Sequence, residues 1–377
     1  MRICYLTDFF VPHYQGGGER RYYEIAKRLV KKGHSVDIIC MRIHNVCDEE
    51  KIDGINVHHI GPTINSPPKR KLSDFFKFLH AQKHWLKKHN YDIIEAQGAS
   101  IFILPWAKLF LKKPSIALIH DISSGEKDQW FAFGNISALY EKTITKLPFT
   151  KILTVGSGTK NQLIKQHGVK TEQIKVIHNG ADLKTIDSVK VKTIQKNTII
   201  FAGRLVPHKH VDDLLKAMQI INKKMRKAKL KIIGTGPQEG TLKKLAKELK
   251  LENTQFLGQI KEYEGVIKEI KKSTLLVLPS TREGFGIVLA EANACKKPVI
   301  AYDIDGVRDV VQSTKNGLLV PPNNVEELAN AILHLLANNK LCLQMGLEGR
   351  KRVEEKFTWD KTASEIENFY NSLIYAA

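Results

Sequence analysis

Short apolar runs of strand length alternate along this chain with longer stretches whose apolar residues recur every three or four positions. The clearest run is Leu275–Pro279, solid apolar sequence closed by a proline, as expected of a parallel strand buried on both faces. Met1–Asp8 reads as a first strand. A polar loop carrying Gly16, Gly17 and Gly18 follows, then an amphipathic helix opening at Glu19 and ending near Gly33, then a strand at Val36–Cys40. Further strands are expected near residues 55–60, 91–96, 115–120 and 150–155. They resume at Thr198–Ala202, in LKIIGTGPQEG (230–240) and in TQFLGQI (254–260). Strand–helix alternation of this kind predicts parallel sheets covered by helices on both faces.

The pattern weakens once, over 182–197, where polar and lysine-rich sequence reads as a linker. The expected organisation is therefore a domain over 1–181, a second over 198–357, and a closing helical segment over 358–377. At 377 residues the chain is long enough for two hydrophobic cores.

Composition narrows the class. No apolar run reaches the length of a membrane-spanning helix, and the N-terminus lacks the apolar region of a signal peptide, so a cytoplasmic protein is expected. Five scattered cysteines form no CxxC pair, which argues against a disulfide framework or a cysteine zinc site. The formal charge of +20 favours anionic partners, although lysine spread over both halves also fits ordinary solvated faces. Residues 69–88 are locally basic and aromatic, with Phe75, Phe78, Leu79 and Leu86 at helical spacing. Two readings fit: a helix lying on an anionic membrane surface, or one packed on a sheet with a lysine-rich outer face.

Three segments carry chemistry. In EGFGIVLAEA (283–292) a glycine turn leads from a strand into a helix near Ile287, so unpaired amides and the positive helix end converge on an anion site. Glu283 and Glu291 bracket it, and carboxylates beside a phosphate site suit a ligand bearing hydroxyls as well as phosphate. Secondly, Gly203-Arg204-Leu205 follows a strand with Lys209 five residues beyond Arg204, two cations suited to a diphosphate. Thirdly, Gly234 and Gly236 form a Gly-x-Gly-Pro turn at a strand end, a weak signal by itself. Asp303 and Asp305 match an Asp-x-Asp metal motif formally, but two aspartates so spaced are common, and no metal site is expected.

These segments resemble the E-x7-E, G-R-L-x-x-x-K and G-x-G-P elements of the retaining GT-B glycosyltransferases of family 4, and the resemblance extends over nearly the whole chain. VIHNGAD (176–182) is similar to that family's closing element of the first domain, with His178 where proline is usual. The resemblance implies an α/β GT-B fold of two Rossmann-like domains facing a cleft, with the final helix crossing back to the first domain. It implies transfer of a sugar from a nucleoside-diphosphate donor, UDP being the commonest, with retained configuration and no metal or other cofactor. Arg204 and Lys209 would stabilise the leaving diphosphate, helped by amides around Phe285, Gly286 and Ile287. Glu283 would hold the sugar's hydroxyls, Glu291 the ribose, and Gln259 and Ile260 the base through main-chain atoms. Gly16 and Gly17, with Gly203, Gly234 and Gly236, would approach the donor. His120, at the end of a strand, would meet the sugar's 6-hydroxyl. A lipid-linked or glycan acceptor would suit a cytoplasmic enzyme peripheral to the membrane through 69–88. Three alternatives stay open: a GT-B epimerase or phosphorylase, a nucleic-acid-binding protein suggested by charge alone, and a silent nucleotide-sugar binder. Nucleic acid is not the expected partner, because no recognition module is visible.

Overall fold

A computed structural model describes residues 1–14, 16–122 and 143–375. The chain forms two compact units, Met1–Asn179 with Trp359–Ala377, and Gly180–Thr358.

The first unit holds an eight-stranded sheet in the order β3-β4-β2-β1-β5-β6-β7-β8. Its strands are β1 (Arg2–Leu6), β2 (Ser35–Ile43), β3 (Glu49–Ile52), β4 (Ile55–Ile64), β5 (Ile93–Gln97), β6 (Ser115–Ile119), β7 (Lys151–Thr154) and β8 (Ile174–Val176). All neighbours pair in parallel except β3, which runs antiparallel to β4 at the sheet edge. Helix α1 opens at Gly17, two residues earlier than the sequence pattern suggests, and runs to Lys31. It buries Tyr22, Ile25, Ala26 and Leu29, the 3–4 spacing that made it legible.

Helix α2 (Leu72–Lys88) settles the two readings of its apolar stripe. Phe78 and Leu86 are buried in the core with Leu79 packed against it, so the stripe covers the sheet and does not face outward. The lysines lie on the outer side, and the exposed apolar residues on α2 are instead Leu72 and Phe76.

The helix Trp359–Tyr375 packs along α1 within this first unit. Arg28 reaches Asp360 at 2.8 Å, and Lys32 and His34 reach Glu367 at 2.5 and 2.7 Å. Tyr370, fully buried, donates to Glu95 Oε2 at 2.6 Å.

The second unit's sheet runs β11-β10-β9-β12-β13-β14. Its strands, all parallel, are β9 (Thr198–Ala202), β10 (Lys229–Ile233), β11 (Thr254–Gly258), β12 (Leu275–Leu278), β13 (Val299–Tyr302) and β14 (Gly317–Val320). This is the doubly wound order, with the direction of winding reversing between β9 and β12, and ligands bind such sheets at the strand ends flanking that reversal. The expected linker is not structureless, since Leu183–Ser188 forms a helix capped by Asp182. Ala181 also donates to the Phe357 carbonyl at 2.9 Å, tying the two ends of the second unit together.

Candidate functional site

At the reversal point of the second unit, the loops after β9 and β12 meet. Ser280 Oγ and the Thr281 amide both donate to the His208 carbonyl at 3.0 Å, and His210 Nε2 lies 3.1 Å from Thr281 Oγ1. This stitching lays the loop carrying Lys209 against the loop carrying Glu283. Lys209 Nζ and Glu283 Oε1 are 2.5 Å apart, with side chains 15% and 12% exposed. The two residues are 74 positions apart in sequence, and the fold makes them one ion pair. Arg204, at the end of β9 in the same unit, is exposed.

The glycines at this site work by making room. A Cβ on Gly234 (φ +127°) would lie 1.9 Å from the Gly203 carbonyl oxygen, and one on Gly236 2.3 Å from that of Leu205. No side chain fits there, so the Gly-x-Gly-Pro turn presses directly on the Gly203-Arg204-Leu205 backbone. The Leu205 amide donates to Thr235, and that of Gln238 to Leu205, at 2.9 and 3.1 Å. The weak glycine motif is thereby explained as the support of the arginine loop. Gly306 was not singled out from the sequence, yet a Cβ there would stand 1.6 Å from the carbonyl oxygen of Glu283.

Gly286 (φ +75°) is the left-handed residue preceding the helix Ile287–Ala294, whose first amides face the loop end without a side-chain cap. Phe285 is buried with its ring edge-on to Phe357 at 5.3 Å, so this residue offers a ligand its backbone and not its ring. Ile287 is half-buried, and Glu291 is buried on the same helix. Gln259, exposed, and Ile260, half-buried, follow β11, whose Gly258 carbonyl accepts from the Gly234 amide at 2.8 Å. Asp303 and Asp305 are both held by Arg308 at 2.7 Å.

The first unit has its own polar cluster, at the ends of β1, β5 and β6, again where the strand order reverses. His120 Nε2 lies 2.6 Å from Gln97 Oε1, Gln97 Nε2 donates to Thr7 Oγ1 at 2.9 Å, and Thr7 donates to the Phe9 carbonyl at 3.1 Å. The Phe9 carbonyl can only accept, so the chain of donors orients the Gln97 amide and makes His120 Nε2 the protonated nitrogen. Burial, then the nearby Arg21 charge, pushes the His120 pKa down to about 4, with Asp121 opposing. The ring is therefore neutral near pH 7 and leaves Nδ1 as an acceptor. Gly16 caps α1 in extended conformation and Gly17 is its first residue. Gly18 lies against this cluster: a Cβ there would meet Gln97 Oε1 at 2.7 Å and His120 Nε2 at 3.0 Å. Sequence reasoning noted Gly18 but gave the role to its neighbours, because which of three consecutive glycines faces the strand ends depends on where the helix begins.

Two doubly wound units, each with polar groups at its strand reversal, are the architecture of the GT-B class. Residues 15–185 match the family model described as Glycosyltransferase Family 4, and residues 184–352 that of Glycosyl transferases group 1. An uncharacterized glycosyltransferase of Methanocaldococcus jannaschii is 30% identical over 287 residues, covering 75% of this chain and 78% of that protein. The GDP-mannose-dependent monoacylated alpha-(1-6)-phosphatidylinositol monomannoside mannosyltransferase of Corynebacterium glutamicum is 35% identical over 177 residues, 45% of this chain and 46% of that one. Among solved structures, Anabaena Alr3699/HepE in complex with UDP-glucose superposes with a TM-score of 0.79 at 21% identity, covering 99% and 100% of the two chains. The chain belongs to the family 4, group 1 glycosyltransferases, and is a glycosyltransferase related to enzymes of cell-envelope synthesis.

Proposed function

We propose that this enzyme moves a sugar from a UDP-sugar to a glycan or lipid-linked acceptor, with retention of anomeric configuration and without a metal ion. The observation that carries the reading is the Lys209–Glu283 pair at the strand reversal of the second unit. In the free enzyme each neutralises the other. When the donor binds, its diphosphate competes for Lys209 and its sugar hydroxyls for Glu283, so one pair is exchanged for two charge-assisted contacts. Arg204, Lys209 and the first amides of the helix Ile287–Ala294 stabilise the charge that grows on the leaving diphosphate, which is the work a metal would otherwise do. Glu291 takes the ribose hydroxyls, and the backbone at Gln259 and Ile260 the base. In the first unit, His120 offers Nδ1 as an acceptor for a hydroxyl, with Gly18 beside it.

UDP is favoured by the Anabaena neighbour's ligand, whereas the Corynebacterium relative is named for GDP-mannose, so the donor test compares both. Full-length protein is screened by thermal shift against UDP, GDP, ADP and their sugars, because a ligand that prefers the native state raises the melting point. A shift with uridine compounds, and turnover unaffected by EDTA, is expected. A shift with guanosine compounds alone overturns the base, and none at millimolar nucleotide overturns the donor site. Nuclear magnetic resonance of the product reads its anomeric configuration, and inversion overturns retention. Replacing Glu283 or Arg204 with alanine should cost at least about two orders of magnitude in rate.

A membrane-borne acceptor is favoured by a patch in the first unit. Leu72, Phe76, Leu109 and Phe110 are 72%, 60%, 63% and 71% exposed. Lys83 lies over the Trp106 ring at 5.4 Å, and that ring stacks on Phe110, so the basic helix α2 adjoins this second apolar element. Lys69, Lys71, Lys77, Lys87 and Lys88 supply charge for an anionic surface. We propose a cytoplasmic location with peripheral attachment through this patch.

A further inference from the structure

We propose that His13, Glu50 and His59 form a binding site for a borderline divalent cation such as zinc, at the β3–β4 edge of the first unit and separate from the donor site. His13 comes from the loop between β1 and α1, Glu50 from β3 and His59 from β4. His13 Nε2 and His59 Nε2 both converge on Glu50 Oε2, at 2.8 and 3.0 Å, and all three ligand atoms lie within 4.8 Å of one another. Zinc bonds of about 2.0–2.1 Å in tetrahedral geometry separate neighbouring ligand atoms by about 3.3 Å, so each histidine–carboxylate pair, at 2.8 and 3.0 Å, need open by only a few tenths of an ångström.

His59 supplies the chemical argument. Its side chain is fully buried, and each ring nitrogen faces an oxygen that can only accept: the Met41 carbonyl at 3.2 Å from Nδ1, and the Glu50 carboxylate from Nε2. The Cys40 thiol lies 3.3 Å from the same Nδ1. A neutral imidazole has one N–H and serves one of the two oxygens. With Nδ1–H donated to the Met41 carbonyl, Nε2 presents its lone pair to a cation that it shares with Glu50. A carbonyl behind a histidine ligand is the usual device for fixing that tautomer. His13 then completes a set of two histidines and one carboxylate, a ligand composition common for zinc. The cysteine count gave no sign of it, since no thiol belongs to the set. A bound cation would anchor the loop that leads into Gly16–Gly18 to the β3–β4 hairpin.

The test uses chelator-treated full-length protein titrated with zinc chloride by calorimetry, with thermal shift in parallel. Cobalt(II) serves as a spectroscopic probe, because tetrahedral cobalt absorbs in the visible. One equivalent of zinc should bind and raise the melting point, and cobalt should develop visible bands. Glu50→Gln should weaken zinc at least roughly tenfold and abolish those bands. His13→Asn, altering a side chain that is 24% exposed on a loop, provides a second variant that does not disturb the core. Cys47→Ser, which removes an exposed thiol, should change nothing. Absence of saturable one-equivalent binding at millimolar zinc, or wild-type binding by both Glu50→Gln and His13→Asn, would overturn the proposal. Donor turnover does not enter either outcome, so failure here leaves the reading of the second unit untouched.

Discussion

Gly306→Ala is the sharpest single test of how Glu283 is positioned. The added Cβ would stand 1.6 Å from the Glu283 carbonyl oxygen, whereas real Cβ contacts essentially never fall below 3.0 Å. The obstacle is backbone, so no flexible side chain can yield, and the two segments must separate by about 1.4 Å, the difference between those distances. Glu283 would then leave its 2.5 Å contact with Lys209. Misplacement of about 1 Å in a positioned group can cost roughly 100-fold. We therefore expect kcat/KM to fall about 100-fold, read as nucleoside diphosphate released from the sugar donor. Overpacking of this kind costs about 1–3 kcal/mol, so a drop of a few degrees to about 10 °C in Tm should accompany it, and activity is measured below the transition. Gly240→Ala is the matched control. Nothing lies within 4 Å of a Cβ there, in a solvent-exposed first turn of the helix Glu239–Glu248, so rate should hold and stability should not fall. A folded Gly306→Ala enzyme with near-normal kcat/KM would refute the argument that this contact sets the carboxylate.

Three further outcomes are expected. Lys209→Met removes one of the two cations assigned to the diphosphate, and should weaken nucleoside diphosphate binding far more than it lowers Tm; calorimetry with the free nucleotide checks this. Burial raises the Glu95 pKa to about 7, against lowering by Tyr370, Arg21 and Tyr22. The folded state therefore keeps a proton that the unfolded chain releases near its ordinary value of about 4.5, and stability should fall as pH rises from about 4.5 to 7, by on the order of 3 kcal/mol. Denaturant titrations across that range should show a flatter profile for Glu95→Gln, whose amide oxygen still accepts from Tyr370, and an unchanged slope would contradict the assignment. Phe76→Ser with Phe110→Ser should reduce sedimentation with anionic liposomes while leaving Tm within about 2 °C, as expected for exposed positions; equal sedimentation would remove the membrane patch from the proposal.

The alternation of apolar runs and helical stripes made the two doubly wound sheets readable, because parallel strands buried on both faces carry few polar positions to confuse the pattern. Thr198–Ala202 and Leu275–Leu278 emerge as strands at the expected places. The edge strand Glu49–Ile52 was not readable, since four residues with three charges carry no apolar period and depend on pairing with β4. The stripe on α2 was visible but its direction was not, because a sheet and a membrane ask for the same spacing. The candidate residues differ in how far their placement depends on distant sequence. Arg204, Lys209, Glu283 and Glu291 stand beside strand ends or glycine turns and could be picked from local sequence. That Lys209 pairs with Glu283, or that Gly306 makes room for the Glu283 backbone, follows from a strand order no local pattern encodes.

The helix Trp359–Tyr375 lies after the entire second unit in sequence but belongs to the first. A ribosome must therefore finish the second unit before the first can close its core. Until then Glu95 lacks its Tyr370 partner, and the side of α1 that receives Asp360 and Glu367 stays uncovered. The second unit, continuous from Gly180 to Thr358, has no such wait. The order of synthesis thus favours the second unit maturing first, with the earlier-made half held open. A chain cut short before Trp359 would carry a finished second unit beside an unfinished first one, and proteases that seek exposed apolar surface would find it there.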